Sequence, residues 1–275
     1  MIRNFTFFIA ANIFQSIPLL FIKQYDIYQF MIFIMPAYVG EHNFCIMNQL
    51  ACDCELCDLK TLFYSHLEKE EVELFCSGKI EKEYSKGEVI IKEGSLVTDF
   101  VYLKSGLVKL FHTDDQKKEQ IISIAKPFDY VSLLSVFSDK HFNYSVTAIE
   151  DSVTCCLEMS HILGLVKSNG NYALGVIEKM SKITDKIILS NLEIRKKHLR
   201  GRVAYVLVYF HDDIYHNKEF ELALSRKEIG EFIGMTTENV IRTLSEFRKD
   251  KIISINGKII EIRDLDKLKS IALYG

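Results

Sequence analysis

Two groups of side chains in this 275-residue chain combine reactive residue types with a telling spacing. The first is an acid and a base four positions apart, Glu238 and Arg242. An arginine guanidinium donates two parallel hydrogen bonds to guanine, and a glutamate carboxylate accepts from the cytosine amino group. The same pair on an ordinary helix surface forms an ion pair worth ~0.3–0.5 kcal/mol, so the surrounding segment decides between the two. The second group is a run of thiols, Cys52-Asp-Cys54-Glu-Leu-Cys57, which holds three of the seven cysteines. A C-x2-C pair such as Cys54 and Cys57 occurs in zinc sites and iron–sulfur sites. Exposed thiols of low pKa serve instead as redox sensors. Cys76 and Cys156 read equally well as small buried hydrophobes. His211-Asp-Asp-Ile-Tyr-His216 has ligand-like residue types but lies in a polar stretch after a helix, and reads as a solvated loop. No nucleophile and base recur at a recognisable spacing, so no enzyme is expected.

The elements that must position Glu238 and Arg242 are legible. Ser225 with Glu228 three residues on is a capping box that opens a helix. Ile229, Phe232 and Ile233 give that helix one apolar face, and Gly234 supplies the left-handed residue that ends it. Thr236 caps a second helix through the backbone N–H of Asn239 or Glu238, and Val240, Leu244 and Phe247 bury it at the 3.6-residue period. Thr237, Glu238, Ile241, Arg242 and Ser245 then face outward. Two alternating runs from Ile252 to Ile262, joined by Asn256-Gly257, predict a hairpin with a type I′ turn. Helix, turn, helix and hairpin make a winged helix-turn-helix, whose second helix enters a major groove by its N-terminal end.

Upstream, short strands at even spacing are expected at Lys79–Tyr84, Glu88–Lys92, Phe100–Lys104, Leu107–His112, Glu119–Ala125, Tyr144–Ile149 and Val153–Met159, an antiparallel barrel or sandwich. Between the two modules Gly175 to Leu199 reads as one long helix. Ile177, Met180, Thr184, Ile187, Asn191 and Ile194 recur at alternating steps of three and four, an a/d seam. The stripe either packs on its own chain or pairs with a second copy, where Asn191 would bond across the interface and fix register.

These motifs resemble one family. Leu224 to Ile262 matches the DNA-binding domain of the Crp/Fnr regulators without a gap, and Gly94 with Tyr102-Leu-Lys-Ser-Gly106-Leu-Val-Lys-Leu-Phe111 resembles their cyclic-nucleotide-binding β-roll. The resemblance implies an α+β chain divided into a Cys-containing segment and β-roll sensor over 47–164, a dimerisation helix over 165–199 and a winged helix over 200–275. It implies a homodimer bound to double-stranded DNA and acting on RNA polymerase in the cytoplasm, with a shift in the dimer seam reorienting two recognition helices. Glu238 and Arg242 occupy the family's base-reading positions. Arg202 and Lys258, together with the cap residue Thr236, join them as further candidate DNA contacts.

The family's cyclic-nucleotide members hold the ligand with a Glu and an Arg, and the corresponding positions here are Val131 and Tyr144. With no cation to meet a buried phosphate, cyclic AMP is not an expected ligand. The oxygen-sensing members carry an iron–sulfur cluster on N-terminal cysteines and one late cysteine. Cys54 and Cys57 resemble their pair and Cys155 the late ligand, but Phe63 stands where a further ligand belongs. Cys52 would have to replace it, or Cys76 would have to fold back.

The whole chain has a net charge of −3, so DNA contact must come from a local surface. Residues 1–46 hold eight of 19 phenylalanines and four charged residues: Arg3, Lys23, Asp26 and Glu41. No signal-peptide pattern fits. The stretch reads first as translated leader DNA ahead of a start at Met47. The rivals are a membrane anchor, which would make the chain a tethered ligand-binding module, and an extra domain.

Overall fold

The computed structural model describes residues 67, 68, 70–72 and 78–275, so the apolar extension 1–46 and Cys52, Cys54 and Cys57 lie outside the described residues. Seven strands build the first module: β1 (Lys79–Tyr84), β2 (Val89–Ile91), β3 (Asp99–Ser105), β4 (Val108–Thr113), β5 (Glu119–Ala125), β6 (Ser145–Ala148) and β7 (Ser152–Glu158). They form two antiparallel sheets, ordered β1-β7-β3 and β2-β6-β4-β5. Side chains of both sheets, among them Phe100, Leu103, Val108, Leu110, Val146 and Leu157, close on one core. Turn chemistry sets the corners. Gly106 adopts φ 85°, and a Cβ there would lie 2.4 Å from the Asp151 carbonyl oxygen.

Two helices follow, α1 (Met159–Ser168) and α2 (Gly170–Lys196). The Asn169 side chain caps α2 by accepting from the Tyr172 N–H at 3.0 Å. The long helix therefore begins before the expected Gly175 and ends before Leu199, which opens the next helix. The expected seam is corrected too. Met180 packs on the β-roll core, Ile187 lies beside Leu110 and Tyr130, and Ile194 is buried in the second module. Asn191 donates to the Ile187 carbonyl of its own helix at 2.8 Å. The outward stripe is Leu174, Ile177, Ile188 and Leu192, exposed by 57, 58, 51 and 47%. The expected seam alternates between two faces: Ile177 and Thr184 are exposed, whereas Met180, Ile187 and Ile194 turn inward.

The second module comprises α3 (Leu199–Tyr209), β8 (Glu219–Glu221), α4 (Arg226–Ile233), α5 (Thr237–Lys249), β9 (Ile253–Asn256), β10 (Ile259–Ile262) and α6 (Leu265–Tyr274). The expected loop around His211 is instead a π-helical turn, Phe210–Tyr215, closed by His216 at φ 52°. Its aromatic residues explain it: Phe210, Tyr215 and Phe220 stack with centroids 5.1–6.4 Å apart. In the hairpin, Asn256 pairs with Ile259, so Gly257 and Lys258 form the turn. Gly257 alone has positive φ there, at 61°, which fits a type II′ turn rather than I′. The strand β8 adds to the hairpin as β8-β10-β9.

The two modules share apolar core. Leu107, Phe111, Ile121, Ile124 and Ile149 of the β-roll belong to the same buried cluster as Val206, Phe210, Ile229 and Ile233. Across it, the nearly buried ammonium of Lys109 on β4 lies 2.7 Å from Glu119 and 3.1 Å from Glu228 on α4. Among the described residues no helix is long and apolar enough to cross a membrane.

Candidate nucleic-acid interface

The helix pair α4–α5 is built as its caps require. The Ser225 hydroxyl accepts from the Glu228 N–H at 3.2 Å, while the Glu228 carboxylate accepts from the Ser225 N–H at 2.9 Å. Gly234 ends α4 in the left-handed region at φ 66°. A second glycine is equally constrained. A Cβ on Gly230 would sit 2.6 Å from the Met235 carbonyl oxygen, so only glycine lets the turn fold this tightly. The Thr236 hydroxyl then accepts from the Asn239 N–H at 3.3 Å and starts α5. Val240, Leu244 and Phe247 are buried beneath it, as is Thr243.

The opposite face carries the expected side chains. Glu238, Ile241 and Arg242 are exposed, with Thr237 and Ser245 half-buried at its edges. Glu238 forms no ion pair with Arg242 among the described contacts. Hydrogen bonds from its own backbone N–H and from the Thr236 hydroxyl hold its carboxyl below the usual range, so it stays ionised. Arg242 instead donates to Asn239 Oδ1 at 3.1 Å and lies 3.9 Å from Glu246. Glu246 is itself held by Arg200 of α3, whose fork reaches Glu246 and Asp250 at 2.8 Å each and covers the Phe247 ring at 5.0 Å. Nothing in the sequence singled out Arg200, because its spacing of 46 and 50 residues from its partners gives no local signal. Lys258 is exposed at the tip of the hairpin, 4.0 Å from Glu221.

Arg202 is a correction. Its guanidinium donates to the carbonyls of Lys197 at 2.9 Å and Ile233 at 3.2 Å, with longer contacts to Arg195 and Gly234 at 3.5 Å. It joins the ends of α2 and α4, whose last carbonyls lack helical partners, and is not presented for phosphate. Lys109 was missed. Its signal was a lone lysine inside the apolar run Val108-Lys-Leu-Phe.

In the β-roll the two positions that differ from the cyclic-nucleotide pattern meet each other. Tyr144 is buried, and its hydroxyl donates to the carbonyl of the fully buried Val131 at 3.0 Å. At the position where the resemblance implies a phosphate-binding cation, the structure holds a buried aromatic ring. Cys155 is fully buried on β7, and its thiol faces the Glu81 carboxylate at 3.6 Å. Burial pushes that thiol up to about 12. No group of three metal-binding side chains occurs among the described residues, which do not include Cys52, Cys54 and Cys57.

Comparison with known proteins agrees with this build. The family model described as a Crp-like helix-turn-helix domain matches residues 201–271, and that of the cyclic nucleotide-binding domain matches residues 81–169. The chain belongs to the Crp/Fnr family. It is a transcription regulator that binds DNA through its helix-turn-helix, in a family that is not enzymatic. This Crp/Fnr chain is 27% identical to the transcriptional activator protein Anr of Pseudomonas protegens over 235 residues, 83% of this chain and 94% of the relative. It is 26% identical to the fumarate and nitrate reduction regulatory protein of Vibrio cholerae over 198 residues, 70% and 78% of the two chains. The crystal structure of a Crp/Fnr-family transcriptional regulator from Eubacterium rectale superposes with a TM-score of 0.65 at 20% identity, covering 75% of this chain and 95% of that one.

Proposed function

We propose that this Crp/Fnr regulator acts as a homodimer that reads a G·C pair in each half-site with Glu238 and Arg242, and that its signal is not a cyclic nucleotide. The observation that carries the base-reading role is the exposed pair on α5, one turn apart above a fully buried face. The exposed stripe Leu174, Ile177, Ile188 and Leu192 supports pairing of two α2 helices. The recognition helices would then meet half-sites one DNA turn apart. Contact with RNA polymerase and a cytoplasmic site of action follow from this reading. Replacing Arg242 by Ala is expected to weaken specific binding by ~1–3 kcal/mol, with a much smaller loss on random DNA. Fluorescence anisotropy on both duplexes measures it, and equal losses would overturn the base-reading role.

The bond from Tyr144 to Val131 supports the absence of cyclic-nucleotide binding. Titration calorimetry with cyclic AMP is expected to give no heat at micromolar concentration. The name of the Vibrio cholerae relative concerns fumarate and nitrate reduction, which supports a redox-linked input, with Cys52, Cys54 and Cys57 as its thiols. Anaerobic purification followed by iron and sulfide analysis tests the form it takes. Stoichiometric iron and sulfide indicate a cluster, whereas colourless, iron-free protein leaves reversible thiol oxidation.

A further inference from the structure

The face of α5 that carries Glu238 and Arg242 holds one residue out of keeping with them. Ile241 is 50% exposed, whereas its neighbours on that face are Thr237, Glu238, Arg242 and Ser245. The helix already buries a complete apolar stripe without it. A β-branched residue at an exposed helical position gains nothing from helix propensity either. Isolated surface hydrophobes are common. This one, however, lies between the two side chains aimed at base edges, three residues after the first and one before the second.

Along the axis Ile241 stands about 4.5 Å beyond Glu238, from the helical rise of about 1.5 Å per residue. That is close to one base-pair step of about 3.4 Å. The floor of the major groove is polar at guanine, cytosine and adenine, and its one apolar group is the 5-methyl of thymine. An isoleucine brought there strips water from polar base edges without replacing their hydrogen bonds, except where it meets that methyl and both apolar groups leave water together.

We infer that Ile241 is a specificity-determining residue that packs on the 5-methyl group of a thymine adjacent to the G·C pair read by Glu238 and Arg242. The inference rests on the base-reading role of that pair.

The test uses the full chain and a duplex selected by it from a random-sequence pool. Each thymine in the selected site is replaced in turn by deoxyuridine, which keeps the base pair and removes only the methyl. One thymine next to the G·C pair is expected to lose about four-fold in affinity, the size of one buried methyl group. Ile241→Ala and Ile241→Ser, with folding checked by circular dichroism, are expected to bind the thymine and deoxyuridine duplexes equally. Wild-type binding that is indifferent to every swap overturns the inference, as does an Ile241→Ala variant that keeps the same thymine dependence. A parallel measurement of Arg242→Ala on G·C and A·T versions of the site separates the two ideas. If that variant loses its preference while the thymine methyl stays silent, only the role of Ile241 falls. If the preference survives, the base-reading role falls as well.

Discussion

Arginine has five N–H donors in a rigid fork, and the direction of that fork separates two arginines that look alike in sequence. Arg202 aims at the carbonyl oxygens of Lys197 and Ile233, at the ends of two helices, whereas Arg242 stands exposed on α5. Replacing Arg202 by Ala is therefore expected to lower stability by about 1–2 kcal/mol, read as a shift of the urea midpoint, while the salt dependence of DNA binding keeps its slope. A shallower slope would return Arg202 to the phosphate backbone. The pair Lys109–Glu228 makes a prediction in pH. Burial pulls the Glu228 carboxyl up, but hydrogen bonds from Ser225 and Lys109 outweigh it and leave the group below its usual range. Burial likewise lowers Lys109, and its bonds to Glu119 and Glu228 outweigh that and raise it. Glu228 thus contributes stability above the ordinary carboxylate pKa and loses it as pH falls through its folded value. Lys109 contributes below the ordinary lysine pKa and loses it as pH rises through its own. Replacing Lys109 by Met strands two carboxylates at a buried edge and is expected to cost about 2–3 kcal/mol at neutral pH. Thermal unfolding followed from neutral to acid should show wild type and variant converge below the carboxylate range; a constant gap would dismiss the ion pair as its source. The caps at Ser225 and Thr236 were legible because their partners lie three residues away. Arg202 and Lys109 were not, because their partners are far off in sequence.

Elements were legible where period and punctuation agree. The strands Lys79–Tyr84 and Glu119–Ala125 fall on their expected bounds, and the other five lie within a residue of theirs. The helix α2 shows where periodicity runs out. It carries two apolar stripes, one against its own chain and one facing outward, and a single heptad line drawn through both crosses from one to the other. The seam test must therefore change residues. Ile188→Asp or Leu192→Asp, on the outward stripe, is expected to yield monomers in sedimentation at concentrations where the wild type is paired. Asn191→Leu is expected to leave association unchanged, since that amide bonds to its own helix. Dimers that survive both aspartates would place the interface elsewhere. The short strand β8 and the helix α6 escaped notice for a different reason. A three-residue strand has no period to read, and α6 follows the hairpin without a break in composition.

At the scale of the molecule, module order and fold class were legible, but the joint between modules was not. Sequence patterns mark which residues turn inward and not which inward faces share a core. Phe111, Ile121 and Ile124 look like β-roll core, yet they pack with Ile229 and Ile233 of the DNA-binding half. Polar contacts cross the same boundary: Lys126 donates to the Asp213 carbonyl at 2.7 Å and Lys86 to the Ala223 carbonyl at 3.3 Å. One consequence concerns portability. A reading head excised at Lys197 would carry away a raw hydrophobic wound, and grafted onto a foreign sensor it would need that lost surface rebuilt before it stood upright on any promoter.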